Sequence, residues 1–114
     1  MGQALRYEDP EVVYLITIRT VGSRLWLVNN RKLTQKLLAA LARYQERYKV
    51  ILYGFTIQGN HPHFLAQFPL CNRAAFMQAW ASMAAKLVAK YVPEFEGGKL
   101  WARRYSCEAV LTDD

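Results

Sequence analysis

The sequence is short of every residue type that would explain it through staples, linkers or membrane spans. It has two cysteines, Cys71 and Cys107, among 114 residues. That is too few for a disulfide framework, and their wide separation lacks the close spacing of a metal knuckle, so both read as free, reduced thiols. Six glycines and four prolines exclude a collagen-like or linker-like chain. No apolar run approaches the roughly 18 residues of a membrane-spanning helix. The opening MGQALRYEDP carries charge and no apolar stretch of the kind that marks a secretory signal. A cytoplasmic protein without membrane contact is expected. Acidic residues are also scarce, nine against fifteen Lys and Arg, leaving a net charge of +6. That excess suggests a polyanionic partner.

What remains is an ordinary globular composition, 53% apolar and 21% charged, too apolar for a disordered chain. The length is that of one domain, so residues 1 to 114 are read as a single domain with one core and one site. A chain of this size buries roughly two thirds of its unfolded surface and needs no covalent staple.

Residues 12 to 20, VVYLITIRT, are β-branched and aromatic and read as a central strand. TVGSRLWLVNN follows as a loop, with Leu25 to Val28 a short packed excursion and Asn29 or Asn30 a helix cap. From Arg31 to Tyr48, Leu33, Leu37, Leu41, Tyr44 and Tyr48 recur at helical spacing with Lys and Arg on the other faces, an amphipathic helix. Val50 to Ile57 and His61 to Phe68 read as strands joined by a Gln58-Gly59-Asn60 turn, most simply a hairpin. Asn72 is placed to cap a second helix over residues 73 to 92, with Phe76, Trp80, Met83, Leu87 and Tyr91 on one stripe and Pro93 ending it. Trp101 to Leu111 reads as a fourth strand. The order βαββαβ predicts an α+β, ferredoxin-like fold: a four-stranded antiparallel sheet with both helices on one face, because right-handed crossovers place them on the same side. The other face is left open, which in a basic domain is where nucleic acid often sits. Thr112-Asp113-Asp114 resembles a helix cap with no helix after it, read either as a tail or as the point before another element.

The chain has only two histidines, His61 and His63. Strand side chains alternate, so the two rings share a face with Cβ atoms roughly 7 Å apart and can reach one metal ion. Pro62, Phe64, Ala66 and Phe68 take the opposite face, toward the helices. The plainer alternative is a pair of solvated or locally bonded histidines. Arg103 and Arg104 beside Trp101 and Tyr105 form a basic and aromatic cluster suited to phosphate contact and base stacking, or equally an edge strand guarded by charge. Because neighbours alternate, at most one of the two arginines shares the histidine face. Lys99, Arg19 and Arg24 are further candidates for a positive surface, acting without sequence preference and in a salt-dependent way. Gln67 shares the histidine face but lies roughly 20 Å from His61 along the strand, too far for a shared site.

Gly59-Asn60-His61-Pro62-His63-Phe64-Leu65, followed by Leu100-Trp101-Ala102-Arg103-Arg104-Tyr105 and then Leu111-Thr112-Asp113-Asp114, resembles the HUH single-tyrosine transposases, the IS200-like and REP-associated tyrosine transposases. The resemblance runs from about Tyr14 onward. It implies single-stranded DNA hairpins as substrate and partner. It also implies a divalent ion, Mg or Mn, held by His61 and His63 with a third polar ligand. In such enzymes a tyrosine hydroxyl attacks a DNA phosphate to give a 5′-phosphotyrosine link, and the ion polarises that phosphate. Two departures stand out. Pro62 replaces a bulky apolar residue between the histidines and belongs on an edge strand or bulge, since it cannot donate to a ladder. The nucleophilic tyrosine of these families lies on a helix after the last strand, so here it is expected beyond Asp114, and the catalytic residue stays unassigned. Among the tyrosines present, Tyr44, Tyr48 and Tyr91 sit on apolar helical stripes, Tyr14 and Tyr53 are read on central strands, and Tyr91 is the nearest to a substitute. Besides DNA strand transfer, two readings stay open: a non-cleaving nucleic-acid-binding module, and a structural or oligomerisation domain. A homodimer is compatible with all three.

Overall fold

In a computed structural model, residues 8–24, 26–27, 30–58, 60–102 and 104–110 are described. The elements follow the expected order: β1 Val13–Thr17, α1 Arg31–Tyr48, β2 Ile51–Gln58, β3 His61–Gln67, α2 Arg73–Tyr91 and β4 Ser106–Ala109, with a short 3₁₀ turn at Val21–Ser23. The strands form one sheet in the order β2-β3-β1-β4, and every neighbouring pair is antiparallel. This is the ferredoxin-like arrangement predicted above. Among the described residues no helix is long and apolar enough to cross a membrane. The candidate cap at Thr112 to Asp114, and Leu25, Val28, Asn29 and Gly59, lie outside the described residues.

One face of the sheet carries the core. Ile16, Phe64, Ala66 and Phe68 are fully buried there, against Leu33 and Leu37 of α1 and Phe76, Trp80, Ala84 and Val88 of α2. Phe64 is packed edge-to-face by Trp80, with ring centroids 5.0 Å apart, and is tilted against Phe55 at 4.9 Å. Such aromatic pairs add about 0.5–1.5 kcal/mol beyond their burial. Trp80 also donates its indole N–H to the Leu37 carbonyl at 3.3 Å, tying α2 to α1.

Several details differ from the sequence expectation, beginning with Pro62, which lies in the central strand β3 rather than on an edge, and with β1, which covers Val13–Thr17 rather than residues 12 to 20. The buried line of α2 is Phe76, Met77, Trp80, Ala84 and Val88, with Met83, Leu87 and Tyr91 only partly buried beside it. This alanine-rich helix is apolar on most sides, so spacing alone did not single out its inward line. Asn72 does not cap α2 with its side chain; its amide nitrogen donates instead to the Tyr48 carbonyl at 2.8 Å. β2 is an edge strand, so Tyr53 is not central, and it lies at a bulge where the register with β3 shifts between Leu52 and Gly54. Finally, β4 starts at Ser106 rather than Trp101. Trp101 makes only an isolated bridge to Thr20, while Ser106 pairs with Thr17. Five steps along this segment therefore face three from Thr17 to Thr20, so the pairing is not one continuous ladder.

Asn30, one of the two expected caps, does more than cap α1. Its Oδ1 accepts from the Leu33 N–H and its Nδ2 donates to the Tyr91 carbonyl, both at 3.0 Å. One side chain thus closes the start of α1 and the end of α2. Replacing Asn30 by alanine is expected to cost about 1–2 kcal/mol, the upper part of the range for a lost cap, read as a lower urea midpoint with unchanged slope.

Candidate metal and nucleic-acid site

Alternation along β3 gives a burial pattern in which Pro62, Phe64 and Ala66 are buried and His61, His63, Leu65 and Gln67 are half-exposed. Both imidazoles therefore stand on the face opposite the helices. Their ring centroids are 4.7 Å apart with planes at 72°. His63 pairs with Thr56 of β2 and Thr17 of β1, and Thr17 in turn with Ser106 of β4. A polar row thus crosses the whole sheet beside the rings. The neighbouring half of the same face has Leu15, Ile51, Tyr53 and Val110 exposed among the polar Gln67 and Glu108.

Each ring is held by its Nδ1. Thr17 Oγ1 lies 3.0 Å from His63 Nδ1, and Asn60 Oδ1 is hydrogen-bonded with His61 Nδ1. In metal sites such partners fix ring orientation and leave the other nitrogen for the ion. The two rings with their held Nδ1 atoms fit a divalent cation on this face. Among the described residues, no cluster of three or more His, Cys, Asp and Glu stands ready to complete a metal shell. The pKa of His61 is lowered from its ordinary value, first by desolvation, then by the charge of Arg19 and then by His63.

The expected DNA-contacting residues are not all brought together. Arg19 is close enough to His61 to lower its pKa. Lys99 is exposed in the α2–β4 connection. Arg104 is exposed too, but it borders a cavity of about 490 Å³ on the helix side of the sheet, shared with Arg73, Met77, Ala81, Trp101 and Cys107. Arg103 lies outside the described residues. Trp101 turns inward, donating its indole N–H to the Ala81 carbonyl at 2.9 Å, which takes it out of any stacking role on the open face. Arg24 instead lies over the ring of Trp26 at 4.7 Å. Gln67 accepts from the Tyr53 hydroxyl at 3.0 Å and donates to the Pro10 carbonyl at 2.9 Å, a strand-end brace apart from the histidines. Cys107 is half-buried and Cys71 exposed, both free, and burial pushes the Cys107 thiol up, away from the reactive thiolate.

Thr17 and Asn60 were not singled out in the sequence as partners of the rings. Asn60 precedes His61 directly, but a turn residue of that type is usually explained by the turn itself. Thr17 comes into reach only through the cross-strand register.

The fold agrees with what known proteins show. Residues 13–113 match the family described as "Transposase IS200 like", and the chain belongs to that family. No curated protein sequence matches it. Among the solved structures that share its fold are two transposase structures. One is a crystal structure of a Deinococcus radiodurans R1 protein assigned as a transposase, 19% identical over 97% of this chain and 87% of that one, with a TM-score of 0.71. The other is a REP-associated tyrosine transposase bound to a REP hairpin, 14% identical over 99% of this chain and 64% of that one, with a TM-score of 0.72.

A depressed His61 pKa has a defined sign. The folded state releases its proton more readily than the unfolded chain, so this group subtracts stability as pH falls below its ordinary value near 6.5 and leaves stability untouched above it. In metal-free protein, an NMR titration of the His61 ring is expected to give a midpoint below 6.5. Arg19→Ala should move it upward; an unmoved midpoint would remove Arg19 from the site.

Proposed function

We propose that this transposase-family chain acts on single-stranded DNA hairpins by metal-dependent cleavage and strand transfer through a 5′-phosphotyrosine intermediate, with His61 and His63 holding a Mg or Mn ion. The observation that carries the reading is the pair of imidazoles, 4.7 Å apart on an uncovered sheet face, with Nδ1 of each engaged. When bound, the ion would polarise the scissile phosphate and offset charge on its oxygens. The chain's own residues do the remaining work. Thr17 and Asn60 orient the rings. Arg19, beside His61, attracts the phosphate backbone. The REP-associated relative is bound to a REP hairpin, which supports a hairpin as the substrate here.

One observation favours a second reading, a non-cleaving nucleic-acid-binding module on the same fold. No described tyrosine stands at the histidines. The Tyr53 hydroxyl reaches Gln67 at the far end of β3, and Tyr91, the nearest substitute by sequence, belongs to the helix layer with Lys90 over its ring at 5.4 Å. The two readings separate in one experiment. Full-length protein is incubated with labelled hairpin DNA and Mn²⁺, then run on a denaturing gel. The first reading expects a covalent protein–DNA product that needs the metal and is lost in His61→Ala and His63→Ala. Hairpin binding without any covalent product supports the second, and no binding at all defeats both.

Tyr53 sharpens the DNA reading. It is 57% exposed on the open face, and its hydroxyl is tethered through Gln67 to the Pro10 carbonyl, so its ring is held in place as a stacking platform. Base–aromatic stacking is worth about 1–3 kcal/mol. Tyr53→Ala is therefore expected to weaken single-stranded DNA binding about tenfold or more, and Tyr53→Phe to retain most of it, in a fluorescence anisotropy titration. Equal loss in both variants would assign the effect to the brace rather than to stacking.

A further inference from the structure

We propose that Ser23 and Asn60 form a relay that fixes the tautomer of His61, placing the proton on Nδ1 and offering Nε2 to the cation. The inference rests on the metal reading above and adds which residues prepare the ring.

A carboxamide has one end that only donates and one that only accepts, so its orientation is decided by its partners. Asn60 Nδ2 lies 3.3 Å from the carbonyl of Ser23, a group that can only accept. The nitrogen therefore faces Ser23, and the oxygen faces His61 Nδ1. An amide oxygen has no proton to give, so this bond exists only when Nδ1 carries the hydrogen. In a neutral imidazole that leaves the lone pair on Nε2. His63 is under no such compulsion, because the Thr17 hydroxyl at its Nδ1 can donate as well as accept.

The relay is anchored in the backbone at both ends. Ser23 and Gly22 adopt left-handed conformations, φ 55 and 66, a costly state for serine, and this turn presents the Ser23 carbonyl to the hairpin. Thr20, almost fully buried, pins the same loop. Its N–H donates to the Asn60 carbonyl at 2.9 Å and its hydroxyl to the Arg24 carbonyl at 2.7 Å. Asn60 is thus held through its main chain by Thr20 and through its side chain by Ser23, and its oxygen has little freedom to leave the ring. A histidine free in water populates both tautomers, and each molecule with the proton on Nε2 is unable to coordinate through that atom.

The test is a ¹⁵N–¹H correlation spectrum of the histidine side chains in metal-free protein at a pH above their titration, paired with Mn²⁺ affinity by calorimetry. The relay expects His61 protonated on Nδ1 in the unmodified chain. It expects Asn60→Ala to give a tautomer mixture and an affinity for Mn²⁺ weaker by about tenfold to a hundredfold, the usual effect of losing such a partner. Asn60→Asp, which still accepts from Nδ1–H, should keep the tautomer. Protonation of His61 on Nε2 in the unmodified chain overturns the relay, as does an Asn60→Ala protein with unchanged tautomer and affinity. An Nδ1–H ring in a protein that binds no Mn²⁺ supports the relay's hydrogen bond and sinks the metal reading instead.

Discussion

The pairing of β3 with β1 on one side and β2 on the other decides where each of its side chains goes, because alternate residues of a strand face opposite ways. With Phe64 opposite Ile16 and Phe55, the even-numbered residues enter the core and the histidines are turned out. A slip of one residue would exchange the two sets, pulling two imidazoles under the helices and pushing Phe64 and Phe68 into water. Fully burying a phenylalanine is worth about 1.5–3 kcal/mol, so the aromatic cluster around Trp80 holds the register strongly. The site is therefore a by-product of core packing: the same contacts that stabilise the sheet aim the rings.

Pro62 shows how this strand tolerates a residue that ladders exclude. β3 is central, not an edge, yet Pro62 is fully buried in it. Its carbonyl still accepts from Ile18 N–H at 3.3 Å, so its backbone faces β1. A non-proline residue would return a second bond to Ile18 there; proline cannot. The regular part of β1 accordingly ends at Thr17, and the chain beyond it is held by the separate bonds of Thr20 to Asn60 and of Ala102 to Arg19. The missing donor thus falls where β1 gives way to the loop that carries Thr20 and Ser23. The bonds from His61 and His63 to β2 are on the other side and are unaffected.

Most of the architecture was legible in the sequence, since it rests on periodicity. Leu33, Leu37, Leu41 and Tyr44 mark α1 because helical spacing is local, and the alternation along β3 is enough to place both histidines on the open face. The misreadings came where local pattern and three-dimensional pairing part. Trp101 to Leu111 looks like one strand, but the offset against β1 lies in the partner's register and not in the segment's own composition. Thr17 escaped for the same reason, lying 46 residues from His63, and so did the contact of Ser23 with Asn60, 37 residues apart; Asn60 itself adjoins His61 and was accounted for by its turn. The basic residues were the least legible. Arg19 and Arg104 are alike by type, but one adjoins His61 while the other borders the helix-side cavity.

Under the proposed function the two rings converge on one cation from the open side of the sheet. Crystals of the protein soaked in Mn²⁺ and measured at the manganese absorption edge test it most directly. The expected result is an anomalous peak within bonding distance of Nε2 of both His61 and His63, with Thr17 and Asn60 still at the Nδ1 atoms. A peak elsewhere, or bound to one ring while the other turns away, would contradict the account.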